Sequence, residues 1–180
     1  MNSSGASALS YLIDTLIDLY VAAVLLRLLL QWVRADFYNP LCQFLVKVTN
    51  PVLVPLRRVI PSIRRLDTAS VVLMLALEIF GVWIITRIGS ISMTAQEIVV
   101  FSVTKLIMTL LMTYFFLIIV SVILSWVGRK MSHPATPLVF QLTEPILQPI
   151  RKIIPPIAGI DLSALFALIA IRFLMLLLGW

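Results

Sequence analysis

Apolar residues fall in four long runs, near residues 9–33, 69–86, 98–127 and 162–179. A helix needs roughly 20 such residues to cross a hydrocarbon core, so the runs predict four transmembrane helices. Two long connections, 34–68 and 128–161, separate the members of each pair, and a short polar link at 87–97 joins the pairs. The connections carry a pattern of their own. Asn39 is placed to cap a helix opening on Pro40, where a missing N–H costs nothing. Leu41, Phe44, Leu45 and Val48 follow at helical spacing on one face, with Gln43 and Lys47 turned from it. The second connection repeats this more weakly from Thr136-Pro137, with Leu138 and Leu142. Segments this short cannot span and predict helices lying in the headgroup plane. Pro51 and Pro145 are expected to stop them, because a proline disfavours helix in the residue before it. Asp67 and Asp161 stand where the next runs begin and are expected to cap them.

The two halves are copies. A shift of 94 residues, without a gap, sets Trp32-Val33 on Trp126-Val127, Pro40 on Pro134, Thr49 on Thr143, Pro51 on Pro145 and Asp67 on Asp161. It also sets Pro55-Leu56-Arg57-Arg58-Val59-Ile60-Pro61 on Pro149-Ile150-Arg151-Lys152-Ile153-Ile154-Pro155. The pattern predicts an all-α integral membrane fold of two tandem repeats, residues 1–86 and 98–180, joined by the link at 87–97. Each repeat holds two transmembrane helices joined by a short interfacial amphipathic helix and a Pro/Arg-rich segment. With two spans per repeat both copies enter the membrane in one orientation, so the repeats are parallel. Three prolines within eleven residues, Pro51, Pro55 and Pro61, predict stiff turns in place of one continuous helix.

Composition fixes the class. Of 180 residues 61% are apolar and 12% charged, with mean hydropathy +1.09, more apolar surface than a soluble domain of this size can cover. The net charge is +6, but ten of the fourteen basic residues sit in the long connections: Arg34, Lys47, Arg57, Arg58, Arg64, Arg65, Arg129, Lys130, Arg151 and Lys152. The middle link carries only Arg87. The positive-inside rule then places both connections in the cytoplasm, and both termini and the link in the periplasm, of a bacterial inner membrane. Basic residues so placed point to anionic lipid, and no nucleic acid is expected, since the stacking aromatics that single strands favour are missing beside the basic pairs. The N-terminus lacks the basic region of a signal peptide, so the first run is expected to be retained. Cys42 and His133 each stand alone, which leaves no disulfide, no thiolate metal site and no haem or zinc centre held by this chain alone. No metal and no cofactor is expected.

The string Thr-x-Pro-x-x-x-Pro-[Leu/Ile]-Arg-[Arg/Lys]-[Val/Ile]-Ile-Pro occurs twice, and Phe37-Tyr38-Asn39-Pro40 precedes its first copy. With these motifs the chain resembles, over essentially its whole length, the YggT family of bacterial and plastid membrane proteins, also called YlmG. Plastid relatives look like accessory factors for attaching haem to a cytochrome or for organising nucleoids. Bacterial relatives are linked to cell-division gene neighbourhoods and to tolerance of osmotic or ionic stress. The resemblance therefore implies an accessory role, and it brings no catalytic residues.

Three sets of residues are candidates for function. Arg57, Arg58, Arg151 and Lys152, framed by Pro55, Pro61, Pro149 and Pro155, form a platform for lipid or a partner. Their aliphatic neighbours enter the acyl boundary while the charges snorkel to phosphates, each gaining roughly 1 kcal/mol. Glu78 and Arg172 lie mid-span at equivalent repeat positions and are expected to pair, fixing packing and register. Asp14 and Asp18 share a helix face, with Lys105 at a similar depth. They form either a salt bridge near the interface, the commoner case, or the lining of a cation path. Arg27 is expected to snorkel to the cytoplasmic face, Trp32 and Trp126 to anchor at the interface, and Cys42 to fill space. The expected function is a non-enzymatic accessory or scaffold factor for another membrane complex, with anionic lipid and a membrane-protein partner or a second copy as its contacts. The alternative is an oligomeric ion or osmolyte pathway using Asp14, Asp18, Glu78 and Lys105.

Overall fold

The computed structural model describes residues 3–63, 66–127, 133–154 and 161–179. Among these residues the chain forms six α-helices and no strand: α1 (Ser3–Trp32), α2 (Pro40–Val59), α3 (Thr68–Ile88), α4 (Ala95–Val127), α5 (Ala135–Ile153) and α6 (Ser163–Leu177). Helices α3 and α4 are each long and apolar enough to cross a membrane. Helix α6 is apolar but has 15 residues, and α1 has 30 residues and carries Asp14, Asp18 and Arg27.

Local chemistry sets several helix ends. Asn39 Oδ1 accepts the Leu41 N–H at 3.0 Å, the N-cap bond expected from its place before Pro40. Its side-chain amide donates to the Pro134 carbonyl at 2.6 Å. At the start of α4, Thr94 and Glu97 form a capping box. The Thr94 N–H donates to Glu97 Oε2 at 2.7 Å and the Glu97 N–H to Thr94 Oγ1 at 3.3 Å. At the far end of α3, Arg87 lies 5.8 Å over the Trp83 ring.

The proline expectation is overturned. Helix α2 runs through Pro51 and Pro55 to Val59, and α5 runs through Pro145 and Pro149 to Ile153. All four prolines lie on the exposed side of their helices. Opposite them α2 buries Cys42, Thr49 and Leu53, and α5 buries Leu138, Leu142, Thr143 and Leu147. An interior proline costs about 3 kcal/mol through a clash and a lost hydrogen bond. In α2 the carbonyls stripped of their partners, those of Lys47 and Pro51, belong to exposed residues, where water or headgroups can reach them. Burial of the opposite face outweighs what remains. That face is also narrower than the spacing implied: Leu41, Phe44 and Val48 stay exposed, turned toward the surroundings and away from the protein.

The residues gather into two compact units, one of Met1–Leu28 with Leu45–Thr109 and one of Leu29–Phe44 with Leu110–Trp180. The first buries Arg27, Thr49, Asp67, Ser70, Glu78 and Ser102, while Leu12, Leu16, Leu19, Phe80 and Phe101 face outward. Gly81 gives α3 its close approach to α1, since a Cβ there would lie 2.9 Å from Ile17 Cδ1. The second buries Ser121, Thr143 and Ser163, exposes Phe116, Ile123, Phe166, Ile169 and Phe173, and packs α5 against α6. Large apolar groups on the outside, over an interior that mixes these polar groups with apolar ones such as Val24, Leu53 and Ile118, suit helices in contact with lipid.

Candidate functional site

The basic pairs at the ends of α2 and α5 are divided in their duties. Arg57 Nη2 lies 2.5 Å from Asp67 Oδ2, and its Nε lies 3.2 Å from the same oxygen. The Ser70 hydroxyl donates to that oxygen as well. Asp67 holds the N-cap position of α3, yet its side chain makes no capping bond to a backbone amide. The guanidinium and the hydroxyl have taken its oxygens. Burial acts to raise the Asp67 pKa, but the Arg57 and Ser70 hydrogen bonds and the guanidinium charge outweigh it and hold the carboxyl below its ordinary value. In the second copy Arg151 Nε lies 2.7 Å from Asp161 Oδ2, and Nη1 lies 3.0 Å from Glu144 Oε2. Asp161 Oδ1 accepts the Ser163 N–H at 2.9 Å from one position ahead of the N-cap of α6, which is Leu162 and makes no side-chain cap bond. Each first arginine therefore ties the end of an amphipathic helix to the start of the next helix. Arg58 and Lys152, the second members, are exposed. Pro55, Pro61 and Pro149 are exposed as well, and the Pro61 carbonyl accepts the Thr68 hydroxyl at 2.6 Å. Pro155 lies outside the described residues, as do Arg64, Arg65, Arg129 and Lys130.

Four charged side chains of the first unit meet around one ammonium. Lys105 Nζ of α4 lies 2.5 Å from Asp14 Oδ1, 2.7 Å from Asp18 Oδ1 and 3.2 Å from Glu78 Oε2. Glu78 of α3 is completely buried, whereas the Asp14 and Asp18 side chains are 40% and 41% exposed. Neither Glu78 oxygen has a hydrogen-bond partner, the Lys105 approach being an ion pair without hydrogen-bond alignment. Three carboxylates thus share one cation. The i, i+4 spacing on α1 was legible; the addition of Glu78 through Lys105 was not, because it depends on how three helices pack. Arg172 is exposed on α6 in the other unit. Among the described residues no group of three or more His, Cys, Asp or Glu side chains is arranged to hold a metal ion.

Arg27 does not snorkel. It is 6% exposed, and its Nη1 donates to the Thr49 hydroxyl at 2.5 Å, which in turn donates to the Leu45 carbonyl. A buried guanidinium holds its hydrogens where acceptors are close, and Thr49, met in the sequence only as a repeated position, supplies one.

The profile of the CCB3/YggT family matches residues 6–88 and matches again over 100–180. The chain belongs to the CCB3/YggT family. Its relatives agree. An uncharacterized protein of Vibrio alginolyticus, encoded in the proC 3' region, is 42% identical over 96% of this chain and 94% of its own. An uncharacterized protein of Pseudomonas aeruginosa is 41% identical over 92% and 85%. The uncharacterized protein YggT of Escherichia coli K12 is 37% identical over 87% and 81%. No solved structure matches the chain. Within this CCB3/YggT chain the two matched stretches begin 94 residues apart, the offset at which both basic helices and both Arg–Asp ties recur.

Proposed function

We propose that this CCB3/YggT chain is a bacterial inner-membrane protein that serves as a non-enzymatic accessory or scaffold factor for another membrane complex, in assembly, cell division or stress response. The architecture behind this reading is two tandem parallel repeats, each a pair of spans around an interfacial helix, with basic connections cytoplasmic and both termini periplasmic. The doubled family match and the outward apolar faces support it. One observation carries the function. Each amphipathic helix is tied by its first basic residue and presents its second, Arg58 or Lys152, to the surroundings. A tied helix is a rigid surface, and an exposed cation beside exposed Val59 or Ile153 fits anionic headgroups or an acidic face of a partner. The test is recovery of tagged chain in lipid nanodiscs, with mass spectrometry of what comes with it. A stoichiometric membrane partner, released by Arg58→Gln with Lys152→Gln, is the expected result. A clean homo-oligomer with no partner would refute the scaffold reading.

The acidic cluster favours a second reading, an oligomeric ion or osmolyte pathway contributing to ionic-stress tolerance. Asp14→Asn with Asp18→Asn would then abolish any such phenotype while the chain still inserts. Full tolerance in that variant would exclude it.

A further inference from the structure

We propose that the cluster of Asp14, Asp18, Glu78 and Lys105 is a proton-binding site within the bilayer, with Glu78 as the carboxylate that takes up and releases the proton. Charge counting leads there. Among the described residues, the charged groups acting on Glu78 are Lys105 from α4 and Asp14 and Asp18 from α1. One ammonium offers three hydrogens and one positive charge to three carboxylates, and two of these sit closer to it than Glu78 does. With all three ionised the cluster holds two uncompensated negative charges, and like charges this close do not all stay ionised. Asp18 Oδ1 also lacks a hydrogen-bond partner, but its side chain is 41% exposed, whereas Glu78 is wholly removed from solvent and lacks a partner at both oxygens. A buried charge without hydrogen bonds is the least tolerable of the three, so the proton belongs there. The half-exposed aspartates connect it to the outside. Uptake forms one O–H bond on the Glu78 carboxylate with a proton drawn from water through Asp14 or Asp18, and release breaks that bond and returns the proton the same way. The site deepens the ion-pathway reading by naming the ion. Binding is separable from transport, so a chain that binds the proton and passes no current refutes the pathway and leaves the site.

Infrared spectroscopy of the full chain in nanodiscs of phosphatidylethanolamine and phosphatidylglycerol tests it. At neutral pH the wild type should show a carboxylic-acid C=O band that shifts in D₂O and disappears as the pH rises. The band should be absent in Glu78→Gln, move in frequency in Glu78→Asp, and persist in Glu97→Gln. It should also vanish at neutral pH in Asp14→Asn with Asp18→Asn, because Lys105 is then free to neutralise Glu78. No such band in the wild type would overturn the proposal, and that measurement needs no variant. A band unchanged in both Glu78 variants would place the proton on an aspartate and overturn it too. Loss of the band on adding K⁺ or Na⁺ at fixed pH would show an alkali-ion site instead.

Discussion

Asp67 and Asp161 hold the same partner at the same spacing and differ in burial, and that difference decides what each is worth. The Asp67 side chain is 1% exposed, that of Asp161 39%. A buried hydrogen bond to a charged group is worth about 1.5–3 kcal/mol, an exposed ion pair about 0–1 kcal/mol. Asp67→Asn should therefore lower the thermal midpoint of the solubilised chain clearly, and Asp161→Asn hardly at all. Equal losses would mean that burial does not govern the tie. The pH dependence follows in sign. The folded Asp67 pKa lies below its unfolded value of roughly 3.9, so its contribution is fully present above that value and fades as pH falls through the folded one. Wild type should lose stability more steeply than Asp67→Asn below about pH 4 in an acid titration. Gly81 gives a second test. Ile17 Cδ1 is the free end of a flexible side chain, so Gly81→Ala should be absorbed by a rotamer change, whereas Gly81→Leu should part α1 from α3. Thermal unfolding of the two variants would separate these outcomes.

The helix ends were legible wherever one residue decides them. Asn39 before Pro40 announced α2, and the prediction held. The ends of α2 and α5 were misread because the rule for a proline is local and the force that overrides it is not. Prolines four residues apart share the exposed side, and the buried face opposite holds each helix through them. Pro51→Ala with Pro55→Ala should therefore keep the helix and add amide protection around Pro51–Val59 in hydrogen exchange. Lost protection there would mean that the prolines shape the segment and are not merely tolerated by it. The pairing of Lys105 with Asp14 and Asp18 was legible from their similar depth, but the Thr49 partner of Arg27 and the approach of Glu78 to Lys105 were not, for a related reason. A lone charge in an apolar run has no pattern, and its partner is named only when another helix arrives beside it.

At the scale of the whole chain, the all-helical class and the family were readable from hydropathy and from the doubled Pro/Arg string, because both are written in residues close together in sequence. The proposed orientation has a direct check. With Cys42 replaced by Ala, Ser90→Cys should react with a membrane-impermeant maleimide on intact cells, and Arg58→Cys only after permeabilisation. The reverse order would invert the topology. The buried Arg27 has a further meaning. At the 94-residue offset its place is taken by Ser121, whose hydroxyl donates to the Ile118 carbonyl of its own helix, and Asp14 and Asp18 stand opposite Met108 and Met112. The two halves of the pattern are thus alike in their proline and arginine frame and unlike in their charges within the apolar runs, and the ammonium that gathers the first half's carboxylates, Lys105, comes from beyond the link at 87–97.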